Sequence, residues 1–175
     1  MQASDVKNKC FVVWSNKIEG RLDAPFYTPD LFQTIKNIKE IKSNYLKFGD
    51  IIEDLSGGAT PKLGFNFYSD SVGVPFLRVQ NITEEGLKLD DVKYITKEVH
   101  NVLLKRSQLK ENDLVFTITG RIGSVAVISA KFDGNINQHS VRIKLKKSVN
   151  GKNISPYYVA IFLNTHIGRK ISMRY

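Results

Sequence analysis

The sequence has one cysteine, no long hydrophobic run and few acidic residues in its second half. Cys10 has no second cysteine for an internal disulfide, so we expect a reducing, cytoplasmic location. The longest apolar stretches, 124–130 and 157–163, fall well short of the roughly 20 residues that cross a bilayer. Residues 1–10 carry charges but no hydrophobic centre, so we expect no secretory signal and no membrane partner.

Groups that support enzyme chemistry are also scarce. His100, His139 and His166 are far apart, and none has a second His, Cys or acid at metal-ligand spacing. We expect His100 and His166 to be surface residues with satisfied hydrogen bonds. The glycine-rich fingerprints that bind nucleotide phosphates are absent, so we expect no cofactor and no metal. The sequence therefore favours a non-catalytic protein.

The charge is positive and unevenly distributed. The net charge is +9, and residues 1–100 hold 13 Lys/Arg against 14 Asp/Glu, whereas residues 101–175 hold 13 against 3. After Asp133 there are basic residues but no acidic ones: Arg142, Lys144, Lys146, Lys147, Lys152, Arg169, Lys170 and Arg174. This pattern favours a polyanionic partner such as nucleic acid, and the alternative is a solvated charged face.

Two helices are predicted, one near each end of the chain. Thr28 and Pro29 are a typical N-cap and first helical residue, and the apolar spacing that follows predicts a helix over residues 29–45. Ser155-Pro156 begins a second helix that extends to about residue 172. We expect this helix to pack through Tyr157, Ile161 and Phe162.

Strands are predicted between the helices, over residues 48–55, 74–79, 87–94, 113–119, 123–129 and 140–145. Residues 123–129 are apolar at both alternating sets of positions, which predicts a central strand. Residues 140–145 alternate, with one apolar face and one cationic face. We predict an α+β fold, a twisted and mainly antiparallel sheet with long loops flanked by an N-terminal and a C-terminal helix.

We expect one domain over residues 1–175, because its length and 42% apolar content suit a single hydrophobic core. Residues 1–45 form an N-terminal arm and helix, and residues 46–155 form the sheet and its loops. Residues 156–175 begin a C-terminal helix.

One pattern suggests a metal-dependent nuclease. Pro29-Asp30 followed by Glu40-Ile41-Lys42 matches the acids and lysine that hold magnesium and activate water in such enzymes. Both acids fall in the predicted first helix, where ten residues correspond to about 15 Å of rise. Two carboxylates that far apart do not share one ion.

Three segments concentrate small residues, amides and basic groups. The first contains Thr60 and Lys62 after paired glycines that let backbone N–H groups approach a phosphate. The second is Arg78-Val79-Gln80-Asn81, and the third joins residues 117–121 with residues 135–139. Arg suits guanine edges, and Gln or Asn suits adenine edges. Each segment read singly could also be a turn with satisfied polar residues.

The order of segments resembles a target recognition domain of the specificity subunit of type I restriction-modification enzymes, from about residue 18 to the end. The resemblance rests on these segments: Arg21 to Tyr27, Asp50 to Leu55, Gly57-Gly58-Ala59-Thr60-Pro61, aromatics through Tyr68, Gly73 to Arg78, Asn81-Ile82, Tyr94-Ile95-Thr96, Asp113 to Phe116, Thr119 to Gly123, Asn137-Gln138-His139, and Ser155 to Tyr158 with a helix that contains Gly168.

The resemblance implies a non-catalytic adaptor that reads half of a bipartite site in double-stranded DNA. It also implies delivery of an adenine methyltransferase subunit, and in some systems a restriction subunit, to that site. Many such subunits carry two recognition domains separated by long spacer helices, whereas this chain carries one. It would therefore act with a second recognition domain or as a homodimer, and its last helix would lead toward a spacer helix.

Three alternatives stay open at this point. The chain could be the recognition part of a fused restriction–methylation enzyme, or a nuclease that uses the acids of the first helix. It could also bind RNA, with Phe65, Phe67 and Tyr68 stacking on unpaired bases.

The residues expected to contact DNA fall into two groups. Those expected at base edges or the nearby backbone are Arg78, Gln80, Asn81, Thr119, Arg121, Asn137, Gln138 and His139. Those expected on phosphates are Thr60, Lys62, Lys144, Lys146, Lys147 and Lys152.

Overall fold

A computed structural model describes residues 12–18, 20, 27–41, 45–61, 68–69 and 72–172. The chain divides into two compact units, one formed by residues 1–45 and 170–175 and the other by residues 46–169. Within the described ranges, no helix is both long enough and apolar enough to cross a membrane.

The first unit contains a 3₁₀ turn, Ser15–Lys17, and helix α1, Pro29–Glu40. Thr28 occupies the N-cap position and Pro29 the first turn, as predicted. Leu31 is buried, and the rings of Tyr27 and Phe32 stack with their centroids 6.0 Å apart. The helix ends at Glu40, several residues before the predicted end at 45, and residues 42–44 lie outside the described part of the chain.

The second unit contains two four-stranded sheets. The first sheet is antiparallel throughout, and its strands in spatial order are β1 (Ile52–Gly57), β10 (Ser140–Leu145), β7 (Leu114–Thr117) and β8 (Val125–Val127). The second has the order β2 (Tyr68–Ser69), β6 (Lys93–Ile95), β3 (Val74–Leu77) and β9 (Asn135–Ile136), and only its β3–β9 pair is parallel. Two small hairpins pair β4 (Ile82–Thr83) with β5 (Gly86–Leu87) and β11 (Ser148–Val149) with β12 (Lys152–Asn153).

Short helical segments complete this unit. They are α2 (Phe48–Ile51), a 3₁₀ turn (Val79–Asn81), a π-helical turn (Val99–Leu103), another 3₁₀ turn (Lys105–Ser107), α3 (Pro156–Asn164) and the first part of α4 (His166–Ser172). The α+β architecture with mainly antiparallel strands is the predicted one.

The first sheet is covered on both faces at β7 and β8, whereas β1 is largely exposed. One face, with Leu114 and Ile143, packs on α3 through Val159 and Leu163. The opposite face packs through Val115 and Ala126 on the second sheet, where Leu77 and Ile136 belong to the same cluster. A third cluster joins β3 to the π-helical turn through Phe76 and Val99. The alternation of β3 and β7 between clusters follows from the two-residue period of a strand.

Two predicted strands are wrong in part. The predicted strand 48–55 begins as the helical turn α2, because the Asp50 carboxylate accepts a hydrogen bond from the backbone N–H of Lys47 and caps that turn. Ile52 then starts β1. The predicted strand 87–94 is interrupted, since residues 88–92 form a turn between β5 and β6.

Strand β8 is an edge strand, and the prediction of a central position is wrong. Its residues are apolar on both faces because one face packs on α3 and the other on the second sheet. The Asn164 side chain supplies the missing partner at Val125: its Oδ1 accepts from the backbone N–H at 3.0 Å, and its Nδ2 donates to the carbonyl at 2.8 Å. An amide side chain thus reproduces one rung of a sheet.

The predicted final helix is broken at Thr165, so α3 and α4 are separate. The Thr165 hydroxyl donates to the carbonyl of Phe162 and accepts from the N–H of Gly168, which begins a new helical turn. The predicted packing face is also wrong. Tyr157, Ile161 and Phe162 are exposed, whereas the buried residues of α3 are Val159, Ala160 and Leu163.

Candidate nucleic-acid interface

The loops at one end of the first sheet collect the predicted polar segments. Strands β1 and β7 end here and β10 begins here, because Gly57 pairs with Val141 and Thr117 pairs with Ser140. The second sheet delivers two more chain segments to the same place, since the backbone N–H of Asn137 donates to the carbonyl of Leu77 at 3.1 Å. Antiparallel pairing therefore brings together segments that are far apart in sequence.

A chain of hydrogen bonds links three of these loops; we call its members, Thr60, Gln138, His139 and Thr119, the polar cluster. The Thr60 hydroxyl donates to Gln138 Oε1, and Gln138 Nε2 lies 3.1 Å from His139 Nε2. Because an amide nitrogen only donates, His139 Nε2 is the acceptor and the ring proton resides on Nδ1. His139 Nδ1 then donates to Thr119 Oγ1 at 2.6 Å.

The polar cluster leaves hydrogen-bond donors facing solvent. Gln138 and Thr119 are exposed, and Gln138 Nε2 carries a second proton beyond the one given to His139. Arg121 is exposed in the loop next to Thr119, and no other described residue pairs with its guanidinium. Arg and Gln are the side chains that read acceptor-rich base edges in a groove.

Glycines allow the loops to approach each other this closely. A Cβ atom at Gly58 would lie 2.1 Å from the carbonyl oxygen of Asn137, so no side chain fits there. Gly120 has a φ of +70°, which favours glycine at that turn. A Cβ atom there would lie 3.6 Å from Val79 Cγ1, an ordinary van der Waals distance. Gly58 thus permits the close approach of the loops, and Gly120 permits the backbone conformation of its turn.

In the second predicted segment, Arg78 and Gln80 bind an acidic residue that the sequence analysis did not predict. Asp91 accepts hydrogen bonds from Arg78 Nη2 at 3.1 Å and from Gln80 Nε2 at 2.7 Å. Asn81 is 1% exposed, and its amide bonds to the backbone of Arg78 and Lys88. In this conformation the buried Asn81 side chain shapes the loop through its bonds to the backbone.

Asn137 also has a structural position. Its side chain is buried, and its Oδ1 accepts from the backbone N–H of His139 at 3.2 Å. This bond shapes the turn that presents Gln138. Lys62 lies outside the described residues.

The cationic face predicted for β10 is an ion-pair ladder with β1. Arg142 pairs with Asp54, and Lys144 Nζ lies 2.7 Å from Glu53 Oε1. The hydrogen bond that Lys144 donates to the Glu53 carboxylate raises the pKa of Lys144 above its usual value. Lys146 donates to the backbone carbonyl of Asp50. The expectation of a free cationic face failed because the acids come from a strand almost ninety residues earlier in the sequence.

The phosphate-binding lysines predicted in and after β10 lie away from the polar cluster. Lys146 follows His139 by the length of β10, about 20 Å at roughly 3.3 Å per residue. Lys147 and Lys152 are exposed beyond that same end. Strand β10 thus separates a polar end from a lysine-rich end.

The remaining predicted groups do not form a second site. Asp30 and Glu40 both lie in α1, as predicted, and are paired with Lys170 and Lys36 respectively. Among the residues that the model describes, no three His, Cys, Asp or Glu side chains are arranged to hold a metal ion.

The histidine predictions had mixed outcomes. His166 is exposed, as predicted. His100 was expected at the surface, but it is 5% exposed, and its Nδ1 lies 2.5 Å from Asn135 Oδ1. A buried amide thus satisfies this ring.

The fold and the polar cluster define an α+β domain whose strand-end loops present polar side chains at one end of a sheet. The sequence is 30% identical over 95 residues to the specificity subunit of the type I restriction enzyme EcoBI of Escherichia coli, a match that covers 54% of this chain and 19% of that subunit. No family model matches the sequence.

Solved structures share the fold. The HsdS subunit from Thermoanaerobacter tengcongensis matches with a TM-score of 0.55 and 11% identity, over 81% of this chain and 34% of that one. A chain from a structural study of complex assembly and conformational transition of the type I R-M system matches with the same TM-score and identity, over 82% of this chain and 34% of that one.

These similarities confirm the predicted resemblance to a recognition domain of a type I specificity subunit and the predicted fold. The region that matches this chain makes up 19% of the length of the EcoBI subunit and about a third of the length of each solved chain.

Proposed function

We propose that this chain reads part of a specific sequence in double-stranded DNA as the target recognition domain of a type I restriction-modification specificity subunit. It acts as a non-catalytic adaptor and directs a DNA adenine methyltransferase subunit to its half-site. A second recognition domain, or a second copy of the chain, reads the other half. A restriction subunit joins the same assembly in systems that cleave DNA.

The observation that supports this proposal best is the convergence of the predicted segments on one end of the sheet. Thr60, Thr119 and the adjacent pair Gln138 and His139 come from three separate parts of the sequence and form one hydrogen-bonded chain. Side chains held in this way satisfy the requirement that a recognition surface be positioned before binding. The similarity to the EcoBI specificity subunit supports the same function.

The proposal is tested by selecting bound sequences from a random duplex library with the purified chain. We expect enrichment of a short motif, with an affinity that falls as salt rises, because phosphate contacts release counterions. Arg121→Ala should relax discrimination at one base pair by about 1–3 kcal/mol, the range for a bidentate base contact.

The control is Lys146→Ala, whose ammonium is bonded to a backbone carbonyl. This variant should keep the selected motif, and any effect on affinity should be equal for all sequences. Equal losses on the selected and random duplexes for Arg121→Ala would assign Arg121 to the backbone, and the absence of any enriched motif would refute sequence recognition. Copurification with an adenine methyltransferase subunit tests the partner.

A further inference from the structure

A groove with two cationic side chains, unpaired within the described part of the chain, lies beside the polar cluster, and these cations take no part in the cluster's hydrogen bonds. An open groove of about 600 Å³ runs between the outer face of β1 and the turn over residues 99–107. Its lining residues are Asp54, Ser56, Val102, Leu103, Lys105, Arg106 and Arg142. Ser56 precedes Gly58 by two residues, and Gly58 packs on the Asn137 turn, so the groove adjoins the loops of the polar cluster.

The turn that forms one wall of the groove is anchored from below. Arg142 Nη1 donates to the carbonyl of Gln108 at 3.1 Å, immediately after the 3₁₀ turn. On the buried side, Asn135 Nδ2 donates to the carbonyl of Leu104 at 2.9 Å and to the hydroxyl of Ser107 at 3.2 Å. Asn135 and Ser107 are fully buried, so these bonds fix the backbone that carries the outward side chains.

The groups that the turn presents are cationic and apolar. Lys105 and Arg106 are exposed, and neither pairs with an acid among the described residues. Val102 and Leu103 are 68% and 59% exposed beside them. The Asp54 carboxylate in the groove is already neutralised by Arg142, so Lys105 and Arg106 supply its net charge.

We infer that this groove binds backbone phosphates of the DNA duplex that the polar cluster reads. Unpaired cations carried on a fixed backbone suit phosphate oxygens, and the exposed apolar pair suits the sugar faces between the phosphates. The lysines of β10 are poorer candidates, since Lys144 and Lys146 already have partners. This inference rests on the proposed function and assigns its phosphate contacts to residues of a different element.

The test compares two double variants that remove the same charge. Binding to the selected duplex is measured by fluorescence anisotropy over a range of salt concentrations. Lys105→Ala/Arg106→Ala should reduce the slope of log affinity against log salt by about 1.8, twice the value of roughly 0.9 per phosphate contact. Lys144→Ala/Lys146→Ala should leave the slope close to that of the unmodified chain. Circular dichroism checks that both variants are folded.

A third variant, Lys105→Arg/Arg106→Lys, keeps both charges and should keep the slope. An unchanged slope for Lys105→Ala/Arg106→Ala, or an equal change in both alanine variants, overturns the groove assignment while duplex binding by the unmodified chain still supports the proposed function. Absence of duplex binding overturns the proposed function itself.

Discussion

The Gln138 side chain is bonded through both ends of its amide. Its carbonyl oxygen accepts from Thr60, and its amide nitrogen donates to His139. The amide is thereby held in one orientation, which leaves a donor for a partner. A recognition residue whose orientation is fixed before binding loses less conformational entropy when it binds.

Thr60→Val tests this orientation. Valine keeps the shape of threonine but removes the hydroxyl donor, so Gln138 is no longer held on one side. We expect discrimination between the selected duplex and single-base variants to fall by about 1–3 kcal/mol at one position. Competition binding measures this change. Thr83→Val is the control, because the Thr83 hydroxyl donates to Gly86 within a separate hairpin. A Thr60→Val profile identical to the unmodified one would contradict the prediction.

Asp113 makes stability depend on pH. It is 3% exposed, and burial raises the pKa of its carboxyl above the usual value of 3.8, although the backbone N–H of Lys110 donates to it. The folded state therefore retains the proton at pH values where the unfolded state has lost it. Stability from this group decreases as pH rises from 3.8 through the raised pKa.

Asp113→Asn removes this titration and keeps an oxygen acceptor for Lys110. The free energy of unfolding of the variant minus that of the unmodified chain should grow as pH rises through this window and then level off. Urea unfolding at a series of pH values measures the difference. Glu111→Gln, at an exposed position, serves as the control. A difference that is constant or shrinks with rising pH is the contrary result.

At the residue scale, the sequence predicted the polar side chains of the cluster but not all their partners. Thr119, Gln138 and His139 lie where loop and strand signals place them. The hydrogen bonds that Asp91 accepts from Arg78 and Gln80 were not predicted. Local sequence patterns carry no information about which acid will face a given cation in the fold.

At the scale of elements, the contact between Gly58 and the Asn137 turn holds the loop of β1 against the start of β10. Gly58→Ala would place a methyl group 2.1 Å from the Asn137 carbonyl oxygen and force these segments apart. We expect a destabilisation of about 1–3 kcal/mol, the cost of overpacking, together with weaker binding of the selected duplex. Thermal unfolding and anisotropy measure the two effects.

The neighbouring glycine provides a matched control. A Cβ atom on Gly57 meets nothing within 4 Å, so Gly57→Ala should change stability and binding little. Similar effects of the two substitutions would show that the close backbone approach does not hold the loops together.

The elements that the sequence predicted well are those with a clear local signal. β10 has the predicted bounds because its alternation extends over six residues, and α1 begins where Pro29 requires. The break at Thr165 and the edge position of β8 were missed. In both cases a side chain substitutes for regular backbone bonding: the Thr165 hydroxyl bonds locally to the chain on either side of the break, and the Asn164 amide bonds to β8 from a distant part of the sequence.

At the scale of the whole molecule, the charge is mixed more evenly in space than in sequence. Basic residues after position 133 pair with acids of the first hundred residues, as Arg142 does with Asp54 and Arg169 with Glu84. Net charge along the chain therefore overstated the free positive surface. The net charge of the sequence predicted a polyanionic partner. It did not predict which basic side chains lack an acidic partner and could therefore bind the polyanion.

Glu53→Gln tests the consequence of this pairing for DNA binding. The substitution releases Lys144 from its carboxylate partner, so the positive potential near β10 increases. We expect tighter duplex binding at low salt and a smaller difference at high salt, because screening weakens the added attraction. Glu98→Gln, which changes the net charge equally at another exposed position, is the control. Equal effects of the two substitutions would mean that only total charge matters.

The hydrogen bonds that connect Thr60, Gln138, His139 and Thr119 also constrain how this domain could acquire a new target. Replacing one member changes the orientation of the next, so single substitutions reduce discrimination before any of them creates a different preference. Under the proposed function, we therefore expect a new target to require concerted exchange of the three loops, while the buried layers behind them stay the same. Exchange of whole loop sets should alter specificity more readily than single substitutions do.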